Sequence, residues 1–300
     1  MSVATVKFSL NGQTYDLTYD STNAVWKGTL TAPTATSWNA ETDHKYHGVV
    51  TATDDAGNTT TASIADFATL GLRVLEKTKP VQSITYPTAG AYITSSKPTI
   101  TWTVTDAGSG VDSSTISIKI DNGSAITSGI TKTAITNGYQ CSYTPSTALG
   151  EGSHTIKINA SDNDGNAAVE ASATFTVDTV PPTLTVSAPT DGLITNQSTV
   201  TVSGTTNDAT SSPVTITVRV NGGAAKTPTV SSQGAWSTDV TLANGSNTIT
   251  IVATDSAGKT TTITRAVTLD TGAPVISAIT LTPNPVDAGS TYVITVTVTD

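Results

Sequence analysis

Few residues in this chain could carry out covalent or acid–base chemistry. The sequence has three histidines, His44, His47 and His154, and one cysteine, Cys141. It contains no Gly-x-Ser-x-Gly nucleophile motif, no His-Glu-x-x-His zinc motif and no glycine-rich phosphate loop. His44 and His47 could bind a metal together, but no third ligand is evident. We therefore expect no catalytic residue, no metal centre and no cofactor, and predict that the protein is not an enzyme.

The loop Asp162–Asn166 (Asp-Asn-Asp-Gly-Asn) resembles the first half of a calcium-binding loop. Oxygen ligands at alternate positions suit calcium, but the glycine at the sixth position and the glutamate at the twelfth are missing. Two similar loops carry Ala56 and Ala257 where this one has Asp164. The aspartate and glycine that all three loops share suit a hairpin turn, in which a carboxylate accepts backbone N–H groups. The sequence favours a turn over a metal site.

Tryptophan offers a second kind of chemistry, because its ring can stack on a sugar. Trp102 alternates with apolar residues, and Trp26 and Trp236 lie in similar strand contexts, so all three are predicted to pack inward. Trp38 lies instead in the least repetitive stretch of the chain, and loops of this kind often carry recognition. The alternative is a strand crossover capped by Trp38. The candidate glycan or surface-binding residues are Trp38, Glu41, Asp43, His44, Tyr46 and His47.

An internal repeat indicates which elements position these residues. The string at 52–58 returns at 160–166 and again at 253–259, and a proline-led start recurs at Pro80 and Pro182, with a third at Pro274. A period of about 100 residues is too long for a solenoid unit, so each copy is expected to form a domain with its own core. The predicted domains are residues 1–77, 78–180 and 181–271, followed by a partial copy at 272–300.

The composition predicts an all-β fold. Threonine and valine are abundant, whereas strong helix formers such as leucine and methionine are scarce. About seven strands per copy, with turn signals every 8–12 residues or so, are typical of an immunoglobulin-type sandwich. Proline at each joint favours short, stiff connections. We expect tandem immunoglobulin-like (Ig-like) β-sandwiches in a linear rod, plus a C-terminal two-strand fragment.

The turns are predicted from Asn-Gly dipeptides. Asn-Gly tolerates the two positive φ angles of a type I′ turn, so Asn11-Gly12 should join a hairpin at the start of the chain. Four further Asn-Gly dipeptides begin at Asn122, Asn137, Asn221 and Asn244. In the first hairpin the residues expected to face inward are Val6, Phe8, Leu10, Tyr15, Leu17 and Tyr19.

Charge and segment composition exclude several partners. The formal net charge is −9 and no Lys/Arg cluster is present, so nucleic-acid binding is not expected. No run of 18 apolar residues occurs, which predicts no membrane insertion. The first residues have no apolar run like a signal peptide and enter a strand at once. These features predict assembly inside a larger particle or release by lysis.

The partial copy should contain two strands, near 275–282 and 291–299, without the strands that would cover their apolar face. Exposed strand edges and apolar side chains invite strand addition by another chain. The alternatives are that the pair folds against the third domain or is a truncated copy. The predicted docking residues are Val275, Ile276, Ile279, Leu281, Val286, Tyr292, Ile294, Val296 and Val298.

The pattern Gly234-Ala-Trp236, Leu242, Gly245-Ser-Asn247 and Ala253-Thr-Asp255 resembles the bacterial Ig-like repeat family. The whole chain is similar to Ig-like structural proteins of tailed phages and prophages of Gram-positive bacteria. That resemblance implies a non-enzymatic virion protein of the tail or baseplate, extracellular after lysis, anchored through residues 273–300 to other structural subunits. Weak contact with host cell-wall glycan and a homo-oligomeric state are further expectations. The alternative is a bacterial surface adhesin or carbohydrate-binding module.

Overall fold

A computed structural model of the chain describes residues 2–300. Within that range the regular structure is β-strand, apart from one 3₁₀ turn at Ala68–Leu70. The described chain divides into two compact units, Met1–Val177 and Asp178–Asp300. No helix among residues 2–300 has the length and apolar character needed to cross a membrane.

The N-terminal part of the first unit is built on one four-stranded sheet. Asn11 and Gly12 have φ angles of 47° and 73° and close the hairpin so that Leu10 pairs with Gln13, as predicted. The sheet order is β2-β1-β6-β7, and two short pairs, β3-β4 and β5-β8, lie beside it. The strands are β1 (Val3–Leu10), β2 (Gln13–Asp16), β3 (Thr18–Asp20), β4 (Val25–Lys27), β5 (Tyr46–His47), β6 (Val49–Asp54), β7 (Thr59–Ala62) and β8 (Gly71–Leu72).

Two predictions for this part are wrong. Tyr19 is half exposed (50%) instead of facing inward. Trp26 is only partly buried and lies against Tyr19, with their ring centroids 5.4 Å apart. Strands β3 and β4 form a two-stranded sheet of their own, in which Tyr19 pairs directly with Trp26. Val6 and Leu10 are the buried apolar side chains of the main hairpin.

The remainder of the first unit is a β-sandwich. Its two sheets have the strand orders β10-β16-β15-β12 and β13-β14-β11-β9. Trp102, Ile100 and Val104 are fully buried between them, as their alternation predicts, and Cys141 is buried in the same core. The strands are β9 (Val81–Tyr86), β10 (Tyr92–Ile93), β11 (Ile100–Thr105), β12 (Val111–Ile120), β13 (Thr131–Ile135), β14 (Gly138–Tyr143), β15 (Gly152–Asp162) and β16 (Ala171–Val177).

The second unit repeats this arrangement. Its sheets have the orders β17-β19-β21 and β18-β23-β22-β20, and the short strand β18 pairs with β23 in parallel, as β10 pairs with β16. Trp236 is buried (3% exposed), as predicted. The strands are β17 (Thr183–Ala188), β18 (Leu193–Thr195), β19 (Thr199–Asn207), β20 (Thr215–Val220), β21 (Ala235–Thr241), β22 (Gly245–Thr254) and β23 (Thr260–Leu269).

The chain therefore folds into tandem Ig-like β-sandwiches, and the predicted fold class is confirmed. The prediction of a type I′ turn at each Asn-Gly dipeptide does not hold at every position. Among the five dipeptides, Asn11-Gly12 joins two paired strands directly, whereas Asn122 and Gly123 both lack a positive φ. At that position Asp121 takes the left-handed conformation (φ 53°) and the chain enters a loop.

The C-terminal segment forms an isolated antiparallel pair, β24 (Val275–Thr282) and β25 (Val293–Thr299). Its strand positions match the prediction closely. Every residue of both strands is exposed, and the pair forms a sheet of two strands only. A two-stranded sheet with both faces in water is marginally stable by itself.

Candidate functional site

The first unit gathers three carboxylates from three separate segments. Glu76 precedes β9, Asp106 follows β11, and Asp162 ends β15. One oxygen from each side chain lies within 4.8 Å of the other two. Asp106 and Asp162 are buried (4% and 2% exposed), and Glu76 is partly buried.

Some oxygens of these carboxylates accept hydrogen bonds within the loops, and others do not. Asp106 Oδ1 accepts backbone N–H groups from Gly108 (3.0 Å) and Gly110 (2.9 Å). Asp106 Oδ2 is buried without a hydrogen-bond partner. Asp162 Oδ1 accepts the N–H groups of Asp164 (3.0 Å) and Asn166 (2.7 Å), which is the turn geometry predicted from the sequence. The backbone N–H of Ser109 donates to Glu76 Oε1.

The second unit contains an equivalent group. Asp178, Asp208 and Asp255 each place one oxygen within 4.8 Å of the others, and their exposed fractions are 0%, 8% and 6%. Asp208 follows β19 and Asp255 follows β22, the positions that Asp106 and Asp162 occupy in the first unit. Asp255 Oδ1 accepts the N–H of Lys259 (2.8 Å), whereas Asp255 Oδ2 is buried without a partner.

Neither group contains a cation from the protein. The ion pairs found among residues 2–300 involve none of these six acids. Two unit charges 4.8 Å apart repel by about 3 kcal/mol at an effective dielectric constant of about 20. Buried charges are normally paired or coordinate a metal, so each group has the charge and the oxygen ligands to hold a cation.

Sequence reasoning missed both groups because it searched for ligands within one loop. The structure assembles each group from three segments, of which the first two ligands are about 30 residues apart and the last two about 50 residues apart in sequence. Local motifs do not capture such separations. One signal was available. Acids recur in phase along the repeat, at Glu76 and Asp178, at Asp106 and Asp208, and at Asp162 and Asp255.

Asp164, the other acid of the calcium-like loop, has a different role. Its side chain is fully buried and forms an ion pair with Arg73 (Nη2 to Oδ1, 2.5 Å). Asp164 Oδ2 accepts the hydroxyl of Thr36 (2.5 Å) and the backbone N–H of Glu76 (3.0 Å). This carboxylate therefore attaches the segment before β9 to the sandwich.

Three of the six predicted surface-binding residues make internal contacts. The ring of Trp38 stacks on His44 at 3.9 Å with an interplanar angle of 3°, and the guanidinium of Arg73 lies 4.9 Å from the Trp38 ring centroid. His44 Nδ1 lies 2.5 Å from the carbonyl oxygen of Trp38. Tyr46 is partly buried and pairs with Leu72 between β5 and β8. Trp38 thus helps to position Arg73 beside Asp164.

The other three predicted surface residues are exposed. Glu41 and Asp43 lie in the loop before β5, and His47 Nε2 forms a 3.0 Å contact with Asp43 Oδ1. The pKa of the Asp43 carboxyl is lowered, chiefly by this hydrogen bond to His47. No group of three potential metal ligands among residues 2–300 includes a histidine. Glycan contact by these exposed side chains stays a prediction.

His154 and Cys141 occupy structural positions. Burial alone would lower the pKa of His154, but hydrogen bonds to the Gly150 carbonyl (2.9 Å) and the Asp121 carboxylate (2.9 Å) together raise it. Burial raises the pKa of the Cys141 thiol to about 11. Neither residue has the exposed, activated environment of a nucleophile or a general base.

The predicted docking residues lie together on the C-terminal pair. Ile276 pairs with Val298, Ile279 with Val296, and Leu281 with Ile294, so the apolar residues of the two strands face one another across the pair. All the large apolar side chains of the segment are at least 39% exposed. They are Val275, Ile276, Ile279, Leu281, Val286, Tyr292, Val293, Ile294, Val296 and Val298.

Family models match both sandwiches. A family model described as bacterial Ig domain matches residues 80–158, and one described as glucodextranase, domain B, matches residues 182–271. The two matches fall on the two sandwiches. They support the bacterial Ig-like part of the predicted resemblance, whereas a phage origin stays a prediction.

One curated relative is Bacillopeptidase F of Bacillus subtilis (strain 168), which is 35% identical over 131 residues. The match covers 44% of this chain and 9% of that protein, so the chain spans a small part of its relative. Among solved structures, fibronectin(III)-like modules of Clostridium thermocellum CbhA cover 63% of this chain and 94% of their own (17% identity, TM-score 0.38). Immunoglobulin domains 1–5 of Sidekick-1 cover 91% of this chain and 55% of their own (14% identity, TM-score 0.39).

Proposed function

We propose that this protein is a non-enzymatic structural and interaction protein whose C-terminal strand pair docks on another polypeptide. Tandem Ig-like domains are suited to structural or interaction roles and are typically non-catalytic. The observation that carries the docking proposal is the exposed apolar surface of β24 and β25.

The same strand positions are buried where a complete sandwich exists. In the repeat, Ile294, Val296 and Val298 correspond to Ile100, Trp102 and Val104. The latter three are 0% exposed, whereas the former are 59%, 44% and 54% exposed. Fully burying one such side chain stabilises a protein by about 1.5–3 kcal/mol. Strands of another polypeptide that cover these side chains would remove them from water. The free energy of that burial is the driving force for strand addition.

We place this docking in a phage tail or baseplate, with the N-terminal part making weak contact with the host surface. The support is the resemblance to Ig-like phage structural proteins and the exposure of Glu41, Asp43 and His47. In this proposal the C-terminal pair joins other virion subunits, and a second copy of the chain is the alternative partner. The protein would reach the outside of the cell after lysis.

The second candidate is a bacterial surface adhesin or a binding segment of a longer bacterial protein. The similarity to part of Bacillopeptidase F favours it, because a related stretch is there embedded in a much longer bacterial chain. In that case β24 and β25 would be completed by further strands of the same polypeptide.

Immunogold labelling of the producing bacterium and of its purified phage particles tests the proposal. Label on the tail or baseplate, lost when residues 273–300 are deleted, supports the virion protein. Label on the cell surface supports the adhesin instead. Unchanged incorporation of the deletion variant into particles would rule out docking through β24 and β25. A glycan array with the full chain then tests the host-surface contact.

A further inference from the structure

We propose that the two carboxylate groups are calcium sites, one formed by Glu76, Asp106 and Asp162 and the other by Asp178, Asp208 and Asp255. The proposal does not depend on which assembly the protein joins. Each site lies within one compact unit and is built from the same three positions of the repeat.

The unpartnered oxygens are the main evidence for a ligand. Each group contains a buried aspartate with one oxygen on backbone N–H groups and the other, Asp106 Oδ2 or Asp255 Oδ2, without any partner. More than nine buried polar groups in ten are hydrogen-bonded in native proteins. The orphan oxygen is on Asp106 in the first group and on Asp255 in the second, so each group contains one buried carboxylate oxygen that lacks a protein partner.

The ligand chemistry favours calcium. The groups offer carboxylate oxygens and contain no histidine or cysteine, which excludes the sites that zinc prefers. Calcium binds oxygens at about 2.3–2.6 Å, so two of its ligands can be up to about 5 Å apart. One oxygen from each carboxylate of a group lies within 4.8 Å of the other two, so a single ion can reach all three. Magnesium demands a tighter octahedron and usually keeps several waters. Three carboxylates on loops therefore fit calcium better.

The loops around each site also prepare it for an ion. Asp106 and Asp162 are fixed by backbone N–H groups at 2.7–3.0 Å, so both carboxylates are positioned before an ion binds. Asp106 Oδ2 is free, whereas Asp162 Oδ2 accepts the side-chain amide of Asn166 (2.7 Å). In the second unit Asp208 Oδ1 accepts the N–H groups of Thr210 (2.8 Å) and Ser211 (2.6 Å). Preorganised ligands reduce the ordering cost of binding.

Calcium would connect each sandwich to the segment that leads into it. Glu76 and Asp178 belong to the segments before β9 and β17, whereas the other ligands belong to loops at the ends of sandwich strands. In the first unit Asp164 and Arg73 already attach the Glu76 segment. A bound ion would tighten this attachment within each unit.

Calorimetric titration of the full chain with CaCl₂, after removal of metal with EDTA, tests the proposal. Calcium sites of extracellular modules bind at about 10⁻⁴–10⁻³ M, so the titration should reach several millimolar. We expect about two ions per chain and a higher unfolding temperature in calcium than in EDTA. The variants Asp106→Asn and Asp255→Asn should each lose one ion, and the double variant both.

Asp54→Asn is the matched control. Asp54 occupies the first copy's version of the same turn and accepts the N–H groups of Ala56 and Asn58 (both 2.9 Å), but it belongs to neither carboxylate group. This variant should keep both ions. If an asparagine at position 106 disturbs the fold by circular dichroism, Glu76→Gln replaces it, since Glu76 is only partly buried.

Two results would show that these carboxylate groups bind no cation specifically. One is the absence of both binding heat and a calcium-dependent shift in unfolding temperature in the wild-type chain, a result that does not depend on any variant. The other is binding that the three Asp→Asn variants affect equally. A site that takes MgCl₂ and rejects CaCl₂ would overturn the assignment to calcium.

Discussion

At the scale of single residues, the ion pair of Arg73 and Asp164 combines a fully buried carboxylate with a partly buried guanidinium. The Asp164 side chain is fully buried and that of Arg73 is 31% exposed. Arg73 also donates to the carbonyl of His44 (3.0 Å) and lies over Trp38. Removing one partner of a buried pair leaves an uncompensated charge, which is costly even where the intact pair contributes little.

We therefore predict that Arg73→Ala lowers the free energy of unfolding of the first unit by about 3 kcal/mol. Urea unfolding followed by tryptophan fluorescence measures it. Lys7→Ala is the control, because its pair with Asp16 is exposed (49% and 80%) and should contribute less than about 1 kcal/mol. Equal effects of the two substitutions would contradict the assigned role of Asp164.

His154 makes part of the stability depend on pH. Since its pKa is raised above the usual 6.5 in the folded protein, the fold favours the charged imidazolium. The resulting stabilisation is fully present below pH 6.5 and is lost as the pH rises through the higher folded-state pKa. The carboxylate of Asp121 supplies part of this effect.

The variant Asp121→Asn tests the direction of this pH dependence. In the wild-type chain the N–H of Thr155 donates to Asp121 Oδ1 (2.8 Å). The amide oxygen of an asparagine can accept the same hydrogen bond, but the side chain carries no negative charge. We expect the variant to lose more stability relative to wild type at pH 5.5 than at pH 8.5, measured by urea unfolding. An NMR titration should show a lower His154 pKa in the variant. A stability difference independent of pH would refute the linkage.

At the scale of elements, the strand pair β24-β25 is distinct from the sandwich that precedes it. None of its side chains contributes to the buried core of the second unit, which is formed by residues between Leu184 and Leu269. The pair keeps its strand register without a second sheet to cover it. Its apolar side chains thus contribute to docking and not to the folding of this sandwich.

Deletion of residues 273–300 should therefore leave the unfolding of the preceding sandwich nearly unchanged, within about 0.5 kcal/mol, the usual range for surface changes. Calorimetric unfolding of the full chain and of the deletion variant measures this. A large loss of stability would mean that the pair packs on its own sandwich, which would contradict docking on another polypeptide.

At the scale of the whole molecule, the acidic residues lie both on the surface and in buried groups. The formal net charge is −9, and six of the acids lie in the two carboxylate groups. Each divalent ion that binds would offset two of these negative charges. The general effect of an acidic surface on solubility is separate from this local repulsion. Stability of the whole chain should accordingly rise with calcium much more than with an equal ionic strength of sodium chloride.

The sequence by itself determined the strands, the repeated sandwiches and the buried positions of Trp102, Trp236 and Cys141. These depend on alternation along one strand, which is a local property of the chain. It failed at Tyr19, predicted from alternation, and at Trp26, predicted from its strand context. These two residues pair with each other in a separate two-stranded sheet.

Only the tertiary structure decided which acids meet and what Trp38 contacts. Glu76, Asp106 and Asp162 are far apart in sequence, and the sandwich brings the ends of their segments together. Trp38 was indistinguishable from a sugar-stacking residue until the fold placed His44 and Arg73 against its ring. Contacts between distant segments depend on how sheets pack, and side-chain periodicity within a segment carries no information about that packing.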